Sequence, residues 1–196
     1  AIVCGTKDGC SIQPVCTKIN KIMIYPTKVS ISHMPFEKHK DINEALLYLI
    51  NDADSKDLTQ DNFNKTHIDR VDFNSGTNFE RPWVQFLIKD LHQHFSKAIG
   101  EMGYRDYLIR QLWFQQYYNK GTHGWHIHHH NYTGVYFLEF SKNSPATELI
   151  EMYEQKNKFK IDVKEGDIVL FPSFIIHKAP INNSDRKTII SFNIDF

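Results

Sequence analysis

Residues 166–196, "GDIVLFPSFIIHKAPINNSDRKTIISFNIDF", hold an apolar run, a turn, a second apolar run ending in a histidine, a polar turn and a long final strand. The turns are marked by Pro172-Ser173 and by the Asn, Ser and Asp residues between Ile181 and Arg186. Alternation splits the last strand into two faces. One carries Arg186, Thr188, Ile190, Phe192 and Ile194; the other carries Lys187, Ile189, Ser191, Asn193 and Asp195. The first set is largely apolar and is expected to face the core, drawing Arg186 and Thr188 inward. An inward arginine in a small barrel is unfavourable unless it meets an anion. A guanidinium beside a hydroxyl suits a carboxylate, which it grips through parallel hydrogen bonds. An arginine at the strand's mouth, in water or paired with Asp185 or Glu165, fits the same pattern, and the strand by itself leaves both readings open.

The preceding strand-rich segment asks what His177 is for. Five of the eleven histidines fall between His123 and His130, in "HGWHIHHH". On a strand, His126 and His128 share a face and aim two imidazoles at one point, with Trp125 and Ile127 on the other side. Two donors do not close a metal site. His177 supplies a third from the only other histidine of the β-rich half. A lone histidine ending an apolar run is ordinarily a core residue; the need of the pair changes its weight.

Before residue 105 the pattern differs. "KIMIYPTKVSI" (21–31) reads as a strand. Residues 36–54 have helical spacing, with Ile42, Ala45, Leu46 and Leu49 on one face. A second amphipathic helix spans 81–103, with Pro82 near its start and a glycine at its end. The polar stretch 55–80 reads as a long surface loop that could lie over a site. From about 105 onward some eight short strands alternate with turn residues. The expected class is α+β, mainly β, with a β-barrel of jelly-roll type behind two supporting helices. The chain is read as one domain: a tail (1–20), a strand with two helices (21–104) and a barrel (105–196).

Composition bounds the partners. With 196 residues, 41% hydrophobic and 13% aromatic, the chain can bury a core. Its 23 basic residues balance 23 acidic ones, which points away from nucleic acid and anionic membranes. No apolar run is long enough for a membrane span, and no signal peptide is visible in the first twenty residues. Cys4, Cys10 and Cys16, all in the tail, match no usual zinc spacing. The cysteine-free remainder favours a reducing, cytoplasmic setting. Homo-oligomerisation is left open.

Taken together, these segments resemble the Fe(II)- and 2-oxoglutarate-dependent oxygenases, and within them the prolyl-hydroxylase-like branch. "YYNKGTHGWHIHH" (117–129) resembles that family's Tyr…Gly…His-x-acid segment, and "YTGVYFLEF" (132–140) the strand after it. The terminal stretch resembles the distal-histidine and arginine segment, with His177 nine residues before Arg186 and an Arg-x-Thr form. The resemblance implies a double-stranded β-helix with Fe(II) on His126, His128 and His177. It implies 2-oxoglutarate held by Arg186 and Thr188, with Tyr118 as a further hydroxyl partner, and O2 as co-reactant. The implied activity is that of a dioxygenase, a hydroxylase of a peptidyl or small-molecule substrate.

Two residues depart from the pattern. His128 stands where an aspartate or glutamate is usual, and an all-imidazole set also suits zinc, copper or nickel. Phe137 stands where relatives often carry a tyrosine. Two other readings accommodate the third histidine: a cupin-like dioxygenase that needs no cosubstrate, and a non-catalytic metal-binding barrel.

Overall fold

The computed structural model describes residues 30–62, 64–152 and 155–196. The cysteine tail and nearly all of the strand expected at 21–31 lie outside them. The terminal strand β11 (Arg186–Asp195) is placed at the centre of the larger sheet, between β4 (Leu108–Tyr118) and β6 (Tyr132–Glu139). A central strand is covered on both faces, which is why both of its alternating sets are mostly buried.

The faces look into different cores. Ile190, Phe192 and Ile194 pack with helix α1 (His39–Asp52) and helix α2 (Pro82–Glu101). Ile189 packs on the other side with Trp113, Tyr117, Val135 and Phe171, inside the barrel. The larger sheet is completed by β1 (Ser32–Pro35), β2 (Lys56–Gln60), β3 (Thr66–Val71) and β9 (Asp167–Pro172), in the order β1-β9-β6-β11-β4-β3-β2. The smaller sheet runs β5 (His123–His126), β10 (His177–Ala179), β7 (Glu148–Ile150), β8 (Lys158–Lys160). All pairings are antiparallel, and the two sheets form the double-stranded β-helix. Among the described residues no helix is long and apolar enough to cross a membrane.

Residues 55–80 are not a loop. They form the β2–β3 hairpin, which extends the larger sheet beyond β4, and a short 3-10 turn at Phe73–Ser75. Their polarity misled the reading because β2 is an edge strand, with only Leu58 partly covered, and such a strand carries polar residues on its open face. Arg70 of β3 ties the helical layer to the sheet. Its guanidinium donates to the carbonyls of Ile50, Asn51 and Ala53 at the end of α1, at 2.8–3.2 Å, and to Gln116 Oε1 at 2.7 Å. The last carbonyls of a helix lack the usual intrahelical donors; of these three, that of Ile50 also accepts from the Ala53 amide at 3.2 Å.

Gly134 marks the closest approach of backbone to neighbour in the sheet. A Cβ there would lie 2.3 Å from Phe192 Cε2 and 2.4 Å from the Val169 carbonyl oxygen. Phe192 is itself packed on Phe95 at 4.7 Å and has no room to yield. Gly134→Ala is expected to lower stability by about 2–3 kcal/mol or more, read as a lower urea midpoint with an unchanged slope.

Candidate metal centre

The metal-binding reading begins with a register. β5 and β10 pair so that His126 stands directly opposite His177. Their rings lie 4.3 Å apart between centroids. The chain leaves β5 after His126, and the His128 amide donates to the Ser173 carbonyl at 3.0 Å. That bond turns the His128 ring toward the other two, at 5.1 Å from His126 and 5.2 Å from His177. One ring nitrogen from each of the three lies within 4.8 Å of the others. His128 therefore joins through a backbone anchor just past the strand end, rather than through strand alternation.

Two of the rings have their tautomer set by the backbone. His126 Nδ1 donates to the Gly124 carbonyl at 2.7 Å, and His177 Nδ1 to the Ile175 carbonyl at 2.8 Å. A carbonyl only accepts, so the hydrogen is on Nδ1 and the Nε2 lone pair is left free. Burial disfavours the imidazolium form at all three. It lowers the pKa of His126, pushes that of His128 down to about 3, and holds that of His177 well below its ordinary value. Neutral, convergent imidazoles fit a divalent cation, which needs those lone pairs unprotonated.

The neighbouring histidines are not members of this convergent group. His123 stacks on His126 at 3.9 Å, His129 is exposed, and His130 Nδ1 faces the Asp195 carboxylate at 3.3 Å. A cavity of about 470 Å³ reaches His126 and His128, with Leu58, Ile68, Val71 and Phe73 of the hairpin segment in its wall.

Arg186, Thr188 and Tyr118 are not brought to the histidines. The Arg186–Thr188 clamp exists, but the carboxylate in it belongs to Glu139. Arg186 Nε and Nη2 donate to the two Glu139 oxygens at 2.7 and 2.9 Å, and Thr188 Oγ1 donates to Oε2 at 2.7 Å. Tyr118, opposite Arg186 on β4, is 42% exposed. The apolar set of β11 does face a core, yet it is the core under the helices; the barrel interior is on the opposite face.

The sequence reading did not single out Lys187. It is 2% exposed, with Nζ donating to the Pro145 carbonyl at 3.2 Å and lying 4.8 Å over the Tyr117 ring. Tyr117 lines a cleft with His126, His128, His177, Ile189 and Ser191. Burial lowers the Lys187 pKa to about 7. The signal was in the sequence: Lys187 alternates in phase with Ile189, Ser191 and Asn193. Phe137 is on the inner face and Tyr136 on the helical one, where it bonds His39 Nδ1 at 2.8 Å.

Comparison with known proteins sets this geometry in context. Residues 111–194 match the family model described as putative 2OG-Fe(II) oxygenase. A search of the curated proteins finds no match. Among solved structures, a 2OG-Fe(II) oxygenase family oxidoreductase from Burkholderia pseudomallei is similar at TM-score 0.68 and 12% identity, covering 84% of each chain. A prolyl hydroxylase from Trichoplax adhaerens, in complex with a hypoxia inducible factor oxygen degradation domain peptide fragment, gives TM-score 0.60 and 16% identity, over 84% of this chain and 83% of that one. The non-heme alpha ketoglutarate dependent epimerase SnoN from nogalamycin biosynthesis gives TM-score 0.65 and 9% identity, over 85% and 77%. At these identities the structural likenesses establish the fold, and the family match adds the sequence pattern. Over residues 111–194, the segment that builds the barrel and presents the three histidines, the chain carries the sequence pattern described as putative 2OG-Fe(II) oxygenase.

Proposed function

We propose that the protein is a non-haem Fe(II)- and 2-oxoglutarate-dependent oxygenase, a hydroxylase of a peptidyl or small-molecule substrate. The observation that carries this reading is the convergence of three neutral imidazoles at a cavity, in the fold and sequence pattern of that family. His126, His128 and His177 would hold the iron. Iron and 2-oxoglutarate together supply the oxidising chemistry, in which O2 and the keto acid yield succinate, CO2 and an oxidised substrate.

The chain's own residues do the rest. The Gly124 and Ile175 carbonyls hold His126 and His177 in the donor tautomer. Lys187, rather than Arg186, is the cation on the inner face of β11 and would take the far carboxylate of 2-oxoglutarate. Three ammonium hydrogens share one carbonyl and one aromatic face, an environment that an anion completes. The apolar side chains Leu58, Ile68 and Val71 of the hairpin, with Phe73 after it, form one wall of the cavity and would limit water beside the reacting end. An all-imidazole ligand set leaves the centre one unit more positive than a set with a carboxylate, which favours a dianionic cosubstrate.

One observation favours the cosubstrate-free, three-histidine reading: among the described residues no carboxylate joins the cluster, and Arg186 is taken by Glu139. Anaerobic titration with Fe(II) and then 2-oxoglutarate separates the two. A visible metal-to-ligand charge-transfer band on adding 2-oxoglutarate is expected. Bound iron with no band at millimolar 2-oxoglutarate would favour the cupin-like reading.

A further inference from the structure

The cavity wall narrows the substrate class of the candidate site, in an inference that rests on the oxygenase reading above. A cavity of about 470 Å³ is of the size that encloses most of a small organic molecule. Leu58, Ile68, Val71, Phe73, Trp113 and Ile127 give it hydrocarbon walls. Phe73 and Trp113 stand edge to face at 5.1 Å, an arrangement that a further ring extends. Two of these side chains are still open to solvent, Phe73 at 45% and Ile127 at 49%. Apolar surface left wet in a cavity wall is what a bound apolar body covers.

Charge and hydrogen bonding point the same way. Among the described residues, no aspartate, glutamate, lysine or arginine lines the cavity. Its titratable lining is histidine, and His130 already faces the carboxylate of Asp195 at 3.3 Å. A charged group on a ligand would lose water here and meet no counter-charge. The wall also holds three side-chain amides, Gln111, Gln115 and Asn193. Gln111 Oε1 accepts from Asn193 Nδ2 at 2.7 Å, and Gln115 Oε1 accepts from the Tyr117 hydroxyl. Asn193 Oδ1 is sealed from solvent and out of a ligand's reach. With every amide oxygen committed or sealed, the wall is poor in acceptors for a ligand's N–H or O–H. A peptide carries an N–H at nearly every residue, and each one buried without an acceptor costs free energy.

We infer that the cavity takes an uncharged small molecule built mainly of hydrocarbon, with few or no N–H and O–H groups, seated against Leu58, Ile68, Val71 and Phe73. Of the two sources open for the substrate, this selects the small molecule over the peptide.

The test uses the full-length chain with Fe(II) and 2-oxoglutarate under argon, so that ligands bind without turnover. The probe is 6-propionyl-2-(dimethylamino)naphthalene, which is uncharged, has no N–H or O–H, and emits at shorter wavelength once desolvated. A saturable blue shift is expected. 2-Acetylnaphthalene should displace the probe at a concentration at least about tenfold below that needed of its charged counterparts, 2-naphthoate and 2-naphthylmethylammonium. It should outcompete a trileucine peptide blocked at both ends by about tenfold or more. Phe73→Ser should raise the probe's Kd about fivefold or more; where that variant does not fold, Leu58→Ser on the edge strand replaces it. Charged naphthalenes or the peptide competing as well as the ketone overturn the inference. So does the lack of a blue shift, or an unchanged Kd in the folded variant. The oxygenase reading is judged apart, by the charge-transfer band of the same sample. A band with no preference for the uncharged ligand keeps that reading and removes this substrate class, whereas the preference without a band does the reverse.

Discussion

Fe(II) is expected to raise the melting temperature of the wild-type chain by about 5–10 °C at a hundred times its Kd, and to raise that of His177→Ala hardly at all. The magnitude follows from linkage: a ligand at that excess stabilises the folded state by about 2.7 kcal/mol, and each kcal/mol moves a chain of this length by about 2–4 °C. The loss in the variant follows from position. His177 is the most deeply buried of the three imidazoles, lies across the strand pair from His126, and has its Nδ1 committed to the Ile175 carbonyl. Without it two donors remain, and the nearby His123 lies outside the group of convergent nitrogens. Scanning calorimetry under anaerobic conditions, on metal-free and iron-loaded protein, reads both effects. The metal-free scan also shows whether the variant folds. An undiminished iron-induced rise in His177→Ala would remove this residue from the ligand set.

The second large effect separates two adjacent residues. Lys187→Met is expected to weaken 2-oxoglutarate binding about 100-fold or more, while making the metal-free protein more stable by about 1 kcal/mol or more. Arg186→Ala is expected to do the opposite. It leaves Glu139 without its bidentate partner and destabilises by about 1–2 kcal/mol, with 2-oxoglutarate affinity within about threefold of wild type. The signs differ because one cation is buried without a carboxylate and the other already has one.

The pH dependence carries the same distinction. Burial lowers the folded pKa of Lys187 to about 7 from 10.5. Between those values the unfolded chain binds a proton that the folded chain does not, so this residue makes stability rise as pH rises from about 7 toward 10.5. Lys187→Met should flatten that rise. Calorimetric titrations in two buffers of different ionisation enthalpy should likewise show proton uptake with 2-oxoglutarate above pH 7, absent in Lys187→Met. Unchanged affinity in Lys187→Met, with a large loss in Arg186→Ala, would return the clamp to Arg186.

How much of this was legible in the sequence depends on the range of the interaction involved. The two helices could be read because their stripes, Ile42 and Leu46 in one and Leu87, Leu91 and Phe95 in the other, repeat at 3.6 residues wherever the partner lies. The hairpin at 56–71 escaped because an edge strand needs few apolar residues, and nothing local distinguishes it from a polar loop. His126, His128 and His177 were named from spacing and from resemblance. The backbone bond from His128 to Ser173 that brings the third ring round was beyond any local pattern.

By itself, the sequence determined which residue types exist to do chemistry: a dense histidine segment, a distal histidine, a terminal strand with two adjacent cations, and a cysteine-free barrel. It also determined that β11 has two faces that differ by one residue in phase. Only the tertiary structure decided which face looks inward. A central strand is buried on both sides, so hydrophobicity marks both faces as core and cannot say which core holds the site. The helices settle it by covering the face of Ile190 and Phe192, which leaves Glu139 to close on Arg186 and Thr188 and leaves Lys187 beside Tyr117 inside the barrel.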